Sequence, residues 1–261
     1  MKGVILAGGA GTRLAPLSKV ASKQLLPVFN KPLIYYPIST LMLAGLREIL
    51  IIVAPHEREK FVNLLGSGEK FGVNLQYAIQ PRPEGLAQSL VIAEEFLDGE
   101  RCCLILGDNI FHGAGLGRAL AKNILINGAH VFGYPVVNTS AYGIATLSKD
   151  AKVLKLEEKP IKSDSNLAIP GLYFFDSDAP AFAKKIKPSH RGELEILDVL
   201  EKYRVDKKLT LEKLPLGTAW FDSGTFTDMH DAATYVRLME ERTGVRVGDP
   251  EEVARIQGWI N

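Results

Sequence analysis

Cysteine is nearly missing from this 261-residue chain: there are two, Cys102 and Cys103, and they are adjacent. Neighbours on a strand point to opposite faces, so the pair is poorly placed for a disulfide and reads as buried, reduced thiols. That usage points to the cytoplasm. An excess of charge is missing too. Lys and Arg number 31 against 30 Asp and Glu, and the net +1 argues against a general polyanion binder such as a nucleic-acid protein. No apolar run approaches the ~20 residues of a membrane span, and no secretory leader is recognisable before Met1-Lys2. No stretch is of low complexity, and none reads as a linker. With 8% aromatic and 23% charged residues, what remains has the composition of an ordinary globular enzyme, long enough to bury a substantial core.

One pattern recurs along the first half. Short apolar runs with β-branched residues ("KGVILAG", "EILIIVAP", "NLQYAIQ", "CCLILGD", "AHVFGYPV") alternate with stretches of helical periodicity ("LIYYPISTLMLAG", "HEREKFVNLLG", "GLAQSLVIAEEF", "GLGRALAKNILI"). Strands that are apolar almost throughout are covered on both faces, which predicts a Rossmann-like α/β fold with a mostly parallel sheet between helices. From about Tyr142 the rhythm turns β-rich. "YGIATLSKDAKVLKLEEKP" reads as two strands joined at Lys149-Asp150-Ala151, and "AIPGLYFFD" as a third. "LEILDVLEKYRVD" and "KLTLEKLPL" come next, and a long amphipathic helix is predicted across "FTDMHDAATYVRLMEER". We therefore expect a single domain, 1–261, with a β-rich insertion walling one side of a cleft.

Ligands of a parallel sheet sit beyond the carboxyl ends of its strands. Three polar groups of residues fall at such ends. The first follows "GVILA", where Gly8, Gly9 and Gly11 allow backbone N–H groups to form an anion-binding nest flanked by Arg13 and Lys23. Two familiar phosphate loops fail on spacing. Gly8 to Gly11 is too short for G-x-x-x-x-G-K-[ST], and Gly9-x-Gly11 leads to Leu14 where G-x-G-x-x-G needs its third glycine. The spacing also disfavours a hydride-transferring oxidoreductase. The second is "LILGDN", where Asp108 at a strand tip suits Mg²⁺ held against phosphate oxygens, though aspartate is equally a turn residue. The third is "LEEKP". There Glu157 and Glu158 alternate, so at most one faces the cleft.

Taken in order, these pieces form a recognisable set. "LAGGAGTRLAPLSKVASKQLLPVFNKPLIYYPISTLMLAG" resembles the opening of glucose-1-phosphate thymidylyltransferases, within the sugar-1-phosphate nucleotidyltransferase family. "QPRPEGLAQSL", "LGDNIFHG", "YGIA", "LEEKP", "GLYFFD", "RGELEI" and "WFDSGT" follow in the same order as in that family. The likeness runs from Lys2 to about Ile260, and "KQLLPV" and "QPRPEGLAQ" favour its thymidylyl branch.

The resemblance implies a role for each matching residue. Gly8, Gly11, Thr12 and Arg13 would wrap dTTP, with Lys23 on its phosphates, while Gln80 and the backbone at Gly85 meet the thymine edge. Asp108 and Asp222 would hold Mg²⁺. Asn109, Tyr142, Gly143, Glu158 and the backbone of Ile169 would surround glucose, and Lys159 and Arg191 would grip its phosphate. The catalytic set is then Arg13, Lys23, Asp108, Lys159 and Asp222, with 1–140 mainly binding nucleotide, 141–224 sugar phosphate and 225–261 a C-terminal helical segment. A homo-oligomer, dimer or tetramer, is implied, with neither nucleic acid nor membrane as partner. The five histidines, scattered along the chain, read as structural or surface residues. Arg13 and Lys23 are read as loop residues whose truncation leaves folding intact. Longer relatives continue past the position of "QGWIN", so any sugar-nucleotide inhibition is expected to compete with dTTP. A UTP-preferring uridylyltransferase and a non-catalytic sugar-nucleotide-binding protein are the alternatives.

Overall fold

The computed structural model describes residues 1–9 and 11–261. The residue at position 10 of the glycine loop lies outside them. The strands Asn74–Ile79, Glu48–Val53, Lys2–Ala7 and Cys102–Leu106 lie side by side in that order, all parallel. Each is apolar for a physical reason. Along Glu48–Val53 every residue after Glu48 is buried, because helices cover both sheet faces. Alternation divides the strands between two cores: Ile5, Ile51, Cys103 and Ile105 pack into one, and Val4, Ile52, Cys102 and Leu104 into the other. The two cysteines thus face opposite layers, buried and unpaired by any disulfide. Burial raises both thiols, Cys102 to about 12.

The chain runs from the first strand outward to Glu48–Val53 and Asn74–Ile79, then crosses back to Cys102–Leu106 on the other side. That reversal opens a crevice at the carboxyl ends of Lys2–Ala7 and Cys102–Leu106, where Gly8 and Asp108 emerge.

The β-rich part continues the same sheet and walls one side of the crevice. Leu172–Phe175 pairs antiparallel with Cys102–Leu106 and with Ala129–Pro135. Leu167–Ala168 then joins Ala129–Pro135 to Gly143–Leu147, and Val153–Glu158 closes the edge. Leu209–Lys213 runs parallel to Ala129–Pro135. Two expectations change in detail. "AIPGLYFFD" holds two strands, split where Pro170 and Gly171 interrupt the ladder. "GLAQSLVIAEEF" is two short helices, Gln88–Ile92 and Glu94–Leu97, which meet at Ala93 with ψ near −7°.

The long helix is Phe226–Thr243. It opens on a capping box, in which Asp228 N–H donates to Thr225 Oγ1 at 3.2 Å and Thr225 N–H to Asp228 Oδ2 at 2.8 Å. Ala232 and Val236 on this helix pack against Val28, Leu33, Tyr36 and Ile110. The helix start is thereby fixed close behind Asp222.

Candidate active site

Beyond the carboxyl ends lies a cleft of about 380 Å³. It is lined by Gly11, Thr12, Arg13, Lys23, Asp108, Asn109, Tyr142, Gly143, Glu158, Lys159, Ile169, Arg191 and Asp222, among others. Residues from across the sequence are thus collected in one place. Gly8, Gln80 and Gly85 lie beside this lining. A Cβ at Gly8 would collide with Gln80 Oε1, and Leu86, next to Gly85, lines the cleft itself.

Gly11 starts the loop's first turn with φ 58°, the left-handed region glycine tolerates, and Thr12–Leu14 forms one turn of 3₁₀ helix. Thr12 and Arg13 are exposed. Lys23 differs from expectation, because its side chain is only 8% exposed. Its Nζ donates to Asp108 Oδ2 at 2.6 Å and to the Asp222 carbonyl at 3.2 Å. An ammonium has three donors, so one remains for a further acceptor. Lys23 is therefore both a cation of the site and the tie between its two aspartate-bearing segments.

Asp222 follows the short strand Ala219–Phe221, and its neighbour Ser223 adopts φ 47°, a left-handed conformation unusual outside glycine. Burial, reinforced by Asp228 and Asp108, raises the Asp222 carboxyl above its ordinary value, while the Gly224 N–H and Lys23 pull the other way. The Tyr142 hydroxyl is pushed up to about 12, chiefly by burial and then by Asp222. Added positive charge at this place would relieve a strained negative one.

Asn109 is buried, and its amide oxygen is already committed. Its Oδ1 accepts from Trp220 Nε1 at 2.6 Å and from Gly171 N–H at 3.3 Å, and its Nδ2 donates to Asp108 Oδ1 at 2.9 Å. It orients Asp108 as directly as it could touch a sugar. Trp220, given no role from sequence, forms an aromatic wall with Tyr142, their ring centres 5.0 Å apart. Its signal was present: one of only two tryptophans, two residues before Asp222.

On the opposite side, Glu158 and Glu157 divide as alternation requires. Glu157 turns away to Lys155 and Ser163, while Glu158 lines the cleft beside Lys159, at 3.6 Å. Burial raises the Glu158 carboxyl, against the pull of Lys159. Lys159 itself has φ 45°, and its N–H donates to the Tyr142 carbonyl at 3.0 Å. Arg191 carries a surprise in its surroundings. Its guanidinium contacts Glu158 at 3.5 Å, Glu195 at 3.3 Å and Glu193 more closely still. Three carboxylates therefore surround one of the two cations that sequence placed on the sugar phosphate.

The described residues contain no group of three or more His, Cys, Asp or Glu side chains arranged to hold a metal. No helix among them is long and apolar enough to cross a membrane.

Comparison with known proteins agrees with this geometry. Relatives named glucose-1-phosphate thymidylyltransferase include one from Xanthomonas campestris pv. campestris, 52% identical over all of this chain and 88% of its own length. Another, from Mycobacterium tuberculosis, is 49% identical over all of this chain and 91% of its own. Among solved structures, a candidate glucose-1-phosphate thymidylyltransferase from Bacillus anthracis in complex with sucrose superposes with TM-score 0.84 and 37% identity, covering 91% of this chain and 95% of that one. A UDP-glucose pyrophosphorylase bound to UDP-glucose, at TM-score 0.80 and 22% identity over 91% of this chain and 98% of that one, shares the fold. Residues 2–237 match the nucleotidyl transferase family model, and the chain belongs to that family.

Proposed function

We propose that the chain transfers a thymidylyl group from dTTP to α-D-glucose 1-phosphate, giving dTDP-glucose and pyrophosphate. One observation carries the reading: a single cleft holds the glycine loop with Arg13 and Lys23, the Asp108–Asp222 pair, and the Tyr142, Glu158 and Lys159 wall. The names of the close relatives support the choice of substrates.

A phosphate oxygen of glucose 1-phosphate attacks the α-phosphorus, and the bond to pyrophosphate breaks on the opposite side. The nucleophile is already an anion and needs no general base. The obstacle is bringing two polyanions into line. Lys23, with one donor to spare, and Arg13 at the loop's exposed edge take the triphosphate charge. Lys159 takes the sugar phosphate. Arg191, surrounded by Glu158, Glu193 and Glu195, serves first to hold Glu158, whose carboxylate accepts from sugar hydroxyls. The Gln80 amide and the Gly85 backbone face the base.

Asp108 and Asp222 supply the hard oxygen donors that Mg²⁺ takes, typically one or two carboxylates with phosphate oxygens completing the shell. The crowding that raises the Asp222 carboxyl fits a cation there. When bound, the ion supplies charge neutralisation on the reacting phosphates. We also place the enzyme in the cytoplasm as a homo-oligomer, with residues 1–140 mainly serving the nucleotide, 141–224 the sugar phosphate and 225–261 helical support. The route to deoxysugars such as dTDP-rhamnose is the natural use of its product.

A coupled pyrophosphate-release assay with glucose 1-phosphate and each of dTTP, UTP, CTP, ATP and GTP tests the proposal. The expected result is the highest kcat/KM with dTTP. A UTP preference would establish the uridylyltransferase alternative, and silence with every pair the non-catalytic one.

A further inference from the structure

Behind Gln80 lies a short chain of hydrogen bonds whose direction its last members dictate. A glutamine amide looks the same with its ends exchanged, so its partners decide which end donates. The Glu84 N–H can only donate, and it lies 3.2 Å from Gln88 Oε1. The ionised Glu84 carboxylate can only accept, and it takes a hydrogen bond from Gln88 Nε2 at 2.8 Å. Gln88 is thereby held with its oxygen toward Gln80, whose Nε2 donates to it at 2.7 Å. One Nε2 hydrogen of Gln80 is thereby committed to Gln88, which fixes the amide's orientation, and its Oε1 lies on the side of Gly8, at the mouth of the glycine loop. Gln80 is buried and Gln88 half-buried. The loop bearing Glu84 is itself tied down, since Leu194 N–H donates to the Glu84 carbonyl at 2.7 Å and Ala87 N–H to the Leu194 carbonyl at 3.0 Å.

We infer that Gln88, locked by Glu84, is a positioning residue that makes Gln80 present an acceptor, selecting a pyrimidine whose ring N3 carries hydrogen. The inference deepens, and rests on, the reading of Gln80 as the group facing the base. Thymine and uracil both carry N3–H, whereas cytosine has a lone pair at N3. With Gln80 held, cytosine meets acceptor against acceptor. With Gln80 released, the amide reverses and offers Nε2 instead. Discrimination against cytosine is thus set one residue behind the contact, and it is blind to the difference between dTTP and UTP.

The test is kcat/KM for dTTP, UTP and dCTP in the parent, Gln80→Leu, Gln88→Leu, Gln88→Lys and the double variant Glu84→Gln with Gln88→Glu. Gln88→Leu is expected to lower the dTTP-to-dCTP ratio about tenfold or more, chiefly through KM, and to leave dTTP-to-UTP unchanged. Gln88→Lys puts a donor where the acceptor stood, can pair with Glu84, and is expected to move preference further toward dCTP. The double variant keeps an acceptor at 88 and a donor at 84, and should restore most of the ratio. Should Gln88→Leu fail to fold, Gln88→Lys carries the same test. An unchanged dTTP-to-dCTP ratio in the folded position-88 variants, or no recovery in the double variant, overturns the inference while a loss of dTTP use in Gln80→Leu keeps the base reading standing. If Gln80→Leu uses dTTP as well as the parent, the base reading is the one that fails.

Discussion

Lys23 and Arg13 share a loop and a sign of charge, yet they differ in what surrounds them. Arg13 is exposed, so Arg13→Ala should melt like the parent while losing at least tenfold in turnover, as thermal melting and pyrophosphate release will report. Lys23 is buried on Asp108, and Lys23→Met leaves that carboxylate without its cationic partner. The loss of activity there should come with about 1–3 kcal/mol of destabilisation. Asp222 presents the opposite balance. Its carboxyl is raised in the folded protein, so the native state binds a proton more readily than the unfolded chain does. Its contribution to stability is fully present below the ordinary aspartate range and is lost as pH rises through the raised native value. Asp222→Asn removes that cost, and should raise Tm at neutral pH by a margin that vanishes toward pH 3, while activity falls about a hundredfold or more. A variant that melts no higher than the parent at pH 7 would remove the charge-crowding account of this site.

At the scale of elements, the site rests on two strand ends: Asp108 after Cys102–Leu106 and Asp222 after Ala219–Phe221. Lys23 bonds to both segments, so Asp108→Asn and Asp222→Asn should not multiply; the double variant should be little worse than the worse single one. Clean multiplication of kcat/KM losses across the four proteins would mean separate tasks. Behind Asp222, the capping box holds the start of Phe226–Thr243, and Thr225→Ala should cost about 1 kcal/mol in urea unfolding. Much of this level was legible in the sequence. A strand such as "EILIIV" has one environment on both faces, so composition alone identifies it, and a terminal "GDN" marks the cleft. What was hidden depends on contacts between distant segments. Asn109 reads simply as a sugar ligand, and only the fold shows that Trp220 and Gly171 hold its oxygen and Asp108 one of its two Nδ2 hydrogens. Arg191 reads as a free cation until Glu158 joins Glu193 and Glu195 around it. No local pattern in "LEEKP" or "RGELEI" announces that these two segments meet.

For the molecule as a whole, one buried histidine sets a limit in acid. His130 lies in the core between Phe132 and Phe174, its Nδ1 within 2.9 Å of Thr210 Oγ1 and its Nε2 without a partner. Burial holds it down to about 4. Because the unfolded chain takes up the proton first, the stability held by neutral His130 is complete above about pH 6.5 and drains as pH falls toward 4, by about 3 kcal/mol in all. His130→Phe should flatten that part of a stability-against-pH profile, and a profile equally steep in the variant would show that other groups cause it. The same strand has a second consequence, for synthesis. Among the described residues, Ala129–Pro135 pairs only with strands made after it: Leu167–Ala168, Leu172–Phe175 and Leu209–Lys213. At about 5–20 residues per second, the ribosome leaves this apolar ribbon without neighbours for several seconds, both edges open to any other nascent chain. A nascent chain halted once Pro135 has cleared the ribosome therefore carries a sticky half-sheet, whereas one halted once Lys213 has cleared it carries a finished one.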